Sequence, residues 1–250
     1  MTQYVGMSQV YDQLTQDQPY DKWFEIVQHY SQNFNHKPNI LDLGCGTGSL
    51  TAQLNTIGSV TGMDLSSDML AIAANKSNQV SWLEGDMTDF SFNNEFDVIT
   101  IFCDSLNYLP DIEDVNKTFI NVFNHLSENG VFIFDVHTIY KMSTLFHNQC
   151  YIDENESTFL AWEAIQGDEP FSVYHEMSFF IEDNNGTYQR FNESHYQRTF
   201  EKETYINMLN QIGFKNIETF IDFNRNNHDD HGERLFFVAF KGSIINWTDD

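Results

Sequence analysis

Short apolar runs alternate with segments of helical periodicity along the first half of the chain. Five runs predict buried strands, at residues 39–44, 59–64, 80–86, 96–102 and 131–136. The segments between them place apolar residues at helical spacing, at residues 49–55, 66–76 and 111–126. Apolar strands that alternate with helices are typical of a parallel, doubly wound sheet in the α/β class.

The pattern changes to a period of two after His137. Three long aromatic segments predict antiparallel strands, at residues 157–165, 171–183 and 186–200. A helix at 201–214 and strands at 217–223 and 234–240 follow them. The loop between the last two strands is too short for a crossover helix, so we expect the last strand to be antiparallel.

These patterns divide the chain into four parts. Residues 1–37 form an N-terminal helical cap, and residues 38–137 form an α/β core that resembles a Rossmann fold. Residues 138–200 form an antiparallel β insert that serves as a lid over the substrate, and residues 201–250 complete the core sheet. The sequence therefore predicts a seven-stranded sheet with its last strand antiparallel, plus the insert.

Charge narrows the choice of partners. The 250 residues include 37 acids and 12 bases, which gives a formal net charge of −25. Such a surface repels nucleic acid and acidic membranes, because both are bound largely through Lys and Arg. We therefore expect a small-molecule partner, neutral or cationic, and no nucleic acid or membrane.

Cysteine content and hydropathy suggest the compartment. The 3 cysteines are widely spaced and form neither a disulfide framework nor a zinc pattern. The N-terminus does not resemble a signal peptide, and no apolar run approaches the roughly 20 residues that span a bilayer. The expectation is a cytoplasmic monomer or homodimer. "HDDH" at 228–231 lies in an Asn-rich loop without a helical histidine pair, so we expect no metal site.

The stretch "ILDLGCGTG" at 40–48 carries the strongest chemical signal. A strand that ends in glycines exposes backbone N–H groups to a close ligand. Glycines 44, 46 and 48 depart from the Gly-x-Gly-x-x-Gly spacing of dinucleotide folds. Asp42 is a poor neighbour for a pyrophosphate and a good one for an amine. A sulfonium amino-acid cofactor, which carries positive charge and no phosphate, meets both demands.

Acidic residues at the next strand ends extend this site. Asp64 follows Gly44 by 20 residues and can accept both hydroxyls of a ribose, a feature shared with nicotinamide enzymes. Asp86 and the Met87 backbone lie where an adenine edge would be read. The stretch "FCDSLNYL" at 102–109 brings further polar residues to the same sheet edge.

Taken together, these stretches resemble the successive motifs of class I S-adenosylmethionine-dependent methyltransferases. The resemblance rests on "ILDLGCGTG", "VTGMDLSSDML", "WLEGDM", "FDVITIFCDSLNYL" and "GVFIFDV". The segment "VYDQLTQDQPYDKW" at 10–23 resembles the cap of small bacterial members related to sugar and glycine N-methyltransferases. S-adenosylmethionine is then the expected cofactor, with S-adenosylhomocysteine as its product.

The resemblance also implies roles for individual residues. Asp42, Gly44 and Gly46 would hold the methionine part, Asp64 the ribose, Leu65 and Met69 the adenine face, and Asp86 and Met87 the adenine edge. Tyr11 and Trp23 would close over the methionine end. The full cofactor-binding set is Tyr11, Trp23, Asp42, Gly44, Cys45, Gly46, Asp64, Leu65, Met69, Asp86, Met87, Cys103 and Asp104.

Acceptor chemistry is expected near the end of the fourth strand. Tyr108 and Asn107 could hold the methyl acceptor, and His137 could act as a base or simply bond to backbone. Cys45 and Cys103 are expected to be small buried residues rather than nucleophiles. The insert strands carry polar and aromatic residues whose facing the sequence leaves open: Tyr174, His175, Tyr188, Arg190, His195 and Tyr196.

The expected function is methyl transfer to a nitrogen or oxygen atom of a small molecule by in-line displacement. Three other functions share some of these motifs. A methyltransferase acting on RNA or protein would need a basic face for RNA, and a non-catalytic regulatory protein would bind the cofactor beside a blocked acceptor pocket. A nicotinamide oxidoreductase would bind NAD, and the glycine spacing and the "EGDM" stretch argue against this function.

Overall fold

The computed structural model describes residues 12, 18–154, 157–183, 185–229 and 231–242. Within them the helices are α1 (Tyr20–Ser31), α2 (Ser49–Leu54), α3 (Ser67–Lys76), α4 (Ile112–His125) and α5 (Lys202–Ile212). A short 3-10 helix spans Ser105–Tyr108, and a π-helical turn spans Lys141–Leu145. None of these helices combines the length and apolar character needed to cross a membrane.

The strands form two sheets. Their bounds are β1 (Asn39–Leu43), β2 (Ser59–Asp64), β3 (Ser81–Glu84), β4 (Phe96–Ile101), β5 (Leu126–His137), β6 (Gln149–Glu154), β7 (Thr158–Gln166), β8 (Ser172–Glu182), β9 (Tyr188–Arg198), β10 (Lys215–Ile221) and β11 (Arg234–Phe240).

The larger sheet has seven strands in the order β10-β11-β5-β4-β1-β2-β3. β11 pairs antiparallel with both β5 and β10, whereas β1 to β5 pair in parallel. The predicted fold class and the reversed last strand are therefore confirmed. The chain order reverses between β4 and β1, and at such a point the carboxyl ends of neighbouring strands open a crevice for a ligand.

Apolar layers cover both faces of this sheet. On one face, α4 places Val115, Phe119 and Val122 at helical spacing against buried rings of β5 and β11. On the other face, α1 and α2 pack Val27 and Leu54 against the sheet. Because both faces are buried, the central strands are apolar along their length, which is the pattern the sequence displays.

The smaller sheet is fully antiparallel, in the order β6-β7-β8-β9. Three of its strands match the predicted insert, but β6 was missed. β6 is an edge strand that leaves most of its side chains in solvent, and Ile152 is 71% exposed. It therefore lacks the alternation of apolar and polar residues by which a half-buried strand is found.

One buried cation joins the two ends of the chain. Arg234 at the start of β11 lies 3.1 Å from carboxylate oxygens of both Asp135 and Asp104. Its guanidinium stacks over the Trp23 ring at 5.0 Å, and the Trp23 indole N–H donates to Asp135 Oδ2 at 2.6 Å. This cluster fixes α1 against β5 and β11.

We expect Arg234→Met to destabilise the fold by about 3–5 kcal/mol, because it leaves the buried Asp135 and the half-buried Asp104 without their shared cation. Chemical denaturation of the variant and the wild type measures the difference. Arg190→Met removes a cation from the exposed face of the insert and serves as the control. Equal free energies of unfolding for Arg234→Met and wild type would contradict the role given to the cluster.

Candidate active site

The three glycines after β1 have left-handed backbones but different surroundings. Their φ angles are +69° at Gly44, +54° at Gly46 and +73° at Gly48, which favour glycine at all three positions. An added Cβ would lie 2.7 Å from Ser105 at Gly44 and 2.4 Å from Trp82 at Gly48. At Gly46 it would meet nothing within 4 Å. Gly44 and Gly48 thus serve packing, whereas Gly46 leaves its backbone open to a ligand.

Asp42 is a buried acid at the end of β1. It is 3% exposed, and its two oxygens accept hydrogen bonds from Thr51 at 2.6 Å and from Thr100 at 2.8 Å. Burial raises the pKa of Asp42 to about 6, with a smaller contribution from Asp64, and the threonine hydroxyls oppose the rise. At neutral pH the carboxylate is charged at a cost that a bound cation would offset.

Asp64 organises the neighbouring loop. Oδ2 accepts the Gly46 N–H at 2.8 Å, and Oδ1 accepts the Ser66 N–H at 2.8 Å. A carboxylate has about four acceptor sites, so Asp64 retains capacity to accept a hydrogen bond from a ligand hydroxyl. Beside it, Leu65 is 69% exposed although it is large and apolar. Such an exposed side chain on a cavity wall suits the flat face of a base.

A cavity of about 450 Å³ extends from the glycine loop to the insert sheet. This volume is typical of sites for small ligands. It brings together most of the predicted cofactor residues: Asp42, Gly44, Cys45, Gly46, Asp64, Leu65, Met69, Asp86, Met87, Cys103 and Asp104. Tyr108 and His137 line it as well.

Some residues of the predicted cofactor-binding set do not lie at the cavity, and for the two cysteines the structure defines the state of the thiol. Tyr11 lies outside the described residues. Trp23 was expected to cover the cofactor, but its side chain is 1% exposed in the core and is not among the described residues that line the cavity. Tyr20, also from α1, lines the cavity instead. Burial raises the pKa of the Cys45 and Cys103 thiols, so neither is a thiolate nucleophile at neutral pH.

Asn107 has a structural role in place of the expected acceptor contact. It is fully buried, its Nδ2 donates to the Arg198 carbonyl at 2.8 Å, and its Oδ1 accepts the His137 N–H at 2.9 Å. It is not among the described residues that line the cavity. Asn107 therefore connects the 3-10 helix to β5 and β9, and so holds Tyr108 and His137 in place.

The buried His137 and the half-buried Asp104 form an acid–imidazole pair on the cavity wall. His137 Nε2 lies 3.4 Å from Asp104 Oδ2, and within the described residues Nδ1 has no hydrogen-bond partner. Burial lowers the pKa of His137, although Asp104 opposes this, so the imidazole is neutral at pH 7. Burial alone would raise the pKa of Asp104, but His137, Arg234 and Gln197 together hold it well below its usual range.

A chain of hydrogen bonds connects Asp104 to the insert. The Trp162 indole can only donate, so His175 Nδ1 must accept its hydrogen bond, at 3.0 Å. His175 Nε2 then donates to Gln197 Oε1 at 3.1 Å, and Gln197 Nε2 donates to Asp104 Oδ2 at 2.8 Å. Burial, then His137, lowers the pKa of His175 to about 4, so it remains a neutral relay.

The sequence alone did not show which residues of the insert point toward the cavity. His175 and His195 are paired in register and line the cavity, together with Met177 and Phe179. Tyr174 and Tyr196 contact each other on the opposite face, with their rings tilted by 54° and their centroids 4.8 Å apart. The alternation of the strands carried this signal, but Gln197 and Arg234 had no local pattern to reveal them.

Comparisons with known proteins agree with this geometry. A family model described as a methyltransferase domain matches residues 40–130. The putative methyltransferase YqeM of Bacillus subtilis (strain 168) is 39% identical over 97% of this chain and 98% of its own. A crystal structure of an S-adenosylmethionine-dependent methyltransferase from Clostridium acetobutylicum ATCC 824 superposes with a TM-score of 0.85, at 32% identity, over 96% of this chain and 99% of that one. A dTDP-4-amino-2,3,4,6-tetradeoxy-D-glucose N,N-dimethyltransferase from Saccharopolyspora spinosa is 30% identical over 44% of this chain and 45% of its own.

Asp42→Asn is expected to stabilise the ligand-free protein at high pH. The rise in the Asp42 pKa from 3.8 to about 6 corresponds to about 3 kcal/mol. Because the folded state binds this proton more tightly, the stability that Asp42 contributes is full below pH 3.8 and is lost as the pH rises through about 6.

Denaturation of wild type and Asp42→Asn at pH 4.5 and pH 8 measures the effect. The variant should be more stable at pH 8 by up to about 3 kcal/mol, and the gap should narrow at the lower pH. Asp153→Asn, at an exposed position on β6, should show no such gap. A gap that does not change with pH would show that Asp42 ionises normally.

Proposed function

The chain belongs to the family of S-adenosylmethionine-dependent methyltransferases, and we propose that it transfers a methyl group from S-adenosylmethionine to a nitrogen or oxygen atom of a small molecule. The observation that carries this proposal is the continuous cavity. The glycine loop, Asp64, His137 and residues of the insert sheet all line this one cavity. The net charge of −25 favours a small molecule over RNA as the acceptor.

The residues at the glycine end fit the cofactor. The open space at Gly46 admits a ligand against the backbone, and Asp42 offers negative charge to an amino group. Asp64 would hold the ribose hydroxyls, Leu65 and Met69 would contact the adenine faces, and Asp86 and Met87 would read its edge. When bound, S-adenosylmethionine supplies a methyl group on a positively charged sulfur, which makes the methyl carbon susceptible to a nucleophile.

The remaining task of the protein is to align the nucleophile and to exclude water. Alignment of two reactants can contribute about 7–11 kcal/mol in favourable cases. Tyr108 lines the cavity next to His195 of the insert and would position the acceptor, while Trp162 and Phe179 add apolar surface to the lining. The relatives named as amino-sugar N,N-dimethyltransferases support nitrogen as the acceptor atom.

His137 is the residue that we assign as the base. An amine that arrives protonated must lose a proton before its lone pair can attack. We assign the neutral imidazole as the group that takes this proton, and its Nε2 lies 3.4 Å from Asp104 Oδ2. The Asp104 carboxylate then stabilises the imidazolium, an arrangement in which an acid orients and supports a histidine base.

Binding of the cofactor is the first test. In calorimetric titrations we expect S-adenosylmethionine and S-adenosylhomocysteine to bind and NAD not to bind. Asp64→Asn should weaken S-adenosylmethionine by about 10- to 100-fold, because it loses a charge-assisted hydrogen bond worth about 1.5–3 kcal/mol. Asp153→Asn is the matched control. NAD binding without S-adenosylmethionine binding would refute the proposal.

The base is tested by pH. With an amine acceptor found by screening against isotopically labelled S-adenosylmethionine, the wild-type rate should fall at acidic pH as His137 gains a proton. His137→Gln should reduce turnover by about 10²- to 10⁴-fold and keep the affinity for S-adenosylmethionine. His147→Gln, at an exposed position nearby, should retain full activity. An unchanged rate in His137→Gln would remove this residue from the mechanism.

A further inference from the structure

The chain has few Lys and Arg side chains that could bind an anionic ligand. The sequence contains 12 Lys and Arg residues, and each lies in the described part of the chain. Of these, Lys141 and Arg234 line the cavity. Any anionic group on the methyl acceptor would depend on these two side chains for a fixed positive charge.

Both cations are already engaged. Lys141 Nζ lies 3.0 Å from Glu233 Oε2 and 5.2 Å from the centre of the Phe146 ring. Arg234 contacts Asp104 and Asp135, each at 3.1 Å. Recruiting Arg234 to a phosphate would leave the buried Asp135 and the half-buried Asp104 without their partner, at a cost of several kcal/mol.

The histidines of the cavity do not replace them. His137 and His175 are neutral at pH 7, because burial lowers the pKa of each. His195 Nε2 lies 2.9 Å from the carboxylate of Glu193, so this carboxylate and not a ligand anion is the acidic partner of the His195 ring. Among the described residues, four carboxylate residues line the cavity, Asp42, Asp64, Asp86 and Asp104, and Arg234 pairs only with Asp104 of these four. The lining of the cavity therefore carries a net negative charge.

Beside His175, His195 and Gln197, the insert contributes an apolar surface to the cavity. Leu160 and Trp162 of β7 and Met177 and Phe179 of β8 are cross-strand neighbours on one face, and Phe146 adds a further ring. We name these five residues the acceptor wall. Such a surface binds a flat or branched hydrocarbon body by burial of apolar area.

We propose that the acceptor is an amine with an apolar or aromatic body and without a phosphate or carboxylate group. This inference rests on the proposed function and specifies its substrate class. The ammonium of the acceptor enters a negative cavity and its body contacts the acceptor wall. It loses one proton to His137, and the nitrogen lone pair then forms a bond to the methyl carbon. The carbon–sulfur bond breaks, and the sulfur keeps its electrons.

The test uses the protein saturated with S-adenosylhomocysteine and three probes. These are 2-phenylethylamine, 3-phenylpropionate as a carboxylate of similar size, and dTDP as a diphosphate. Calorimetry should give at least tenfold tighter binding of the amine than of the carboxylate, and no binding of dTDP. Equal or tighter binding of either anion overturns the proposal, and so does a failure of the amine to bind.

A charge added to the acceptor wall gives a second measurement. Met177→Lys should weaken the amine and strengthen 3-phenylpropionate, each by at least tenfold, whereas Ile152→Lys on exposed β6 should change neither. Thermal denaturation checks that both variants fold. Failure of the wild type to bind S-adenosylhomocysteine would refute the proposed function itself. Binding of S-adenosylhomocysteine with a preference for the anions would refute the acceptor class alone.

Discussion

The structure depends on one guanidinium that serves two carboxylates, of which one is fully buried and the other half-buried. Arg234 comes from the reversed last strand, Asp135 from β5, and Asp104 from the loop after β4. Through Trp23 the cluster extends to α1, and through Gln197 it extends to the insert. A buried pair of this kind adds little net stability by itself, but the loss of one member is severe. The cap, the core sheet and the insert therefore share one electrostatic anchor, and it lies beside the cavity.

The same low dielectric that strengthens this anchor makes the site costly to maintain. Asp42 is held with a pKa of about 6, and Asp104 occupies a left-handed backbone with φ of +56° next to Cys103 at +54°. Strain and uncompensated charge of this kind are common at sites that wait for a ligand. We interpret the ligand-free protein as one in which the apolar layers of the core stabilise a loop region that is unfavourable on its own.

The sequence predicted what depends on local patterns and could not predict what depends on distant partners. The core strands, the reversed β11 and the open backbone at Gly46 follow from periodicity and glycine spacing. Trp23 was misplaced because its partner, Asp135, lies 112 residues away, and Arg234 was missed because Asp104 is 130 residues away. Asn107 was expected to line the cavity because residues next to it in the sequence do. Its amide instead forms hydrogen bonds with the backbone of Arg198 and His137. Such pairings arise only when the fold closes.

The two sheets supply different parts of the cavity, and this affects which residues can be substituted without loss of the fold. The backbone that faces the glycine end belongs to loops of the core, whereas the acceptor wall belongs largely to alternate positions on β7 and β8. A replacement at one of these positions alters the shape offered to the incoming molecule and leaves the pairing of the strands intact, because the ladder is made by main-chain atoms. Substitutions at these positions of β7 and β8 can therefore change which acceptor is selected, while the core sheet and its glycine loop stay the same.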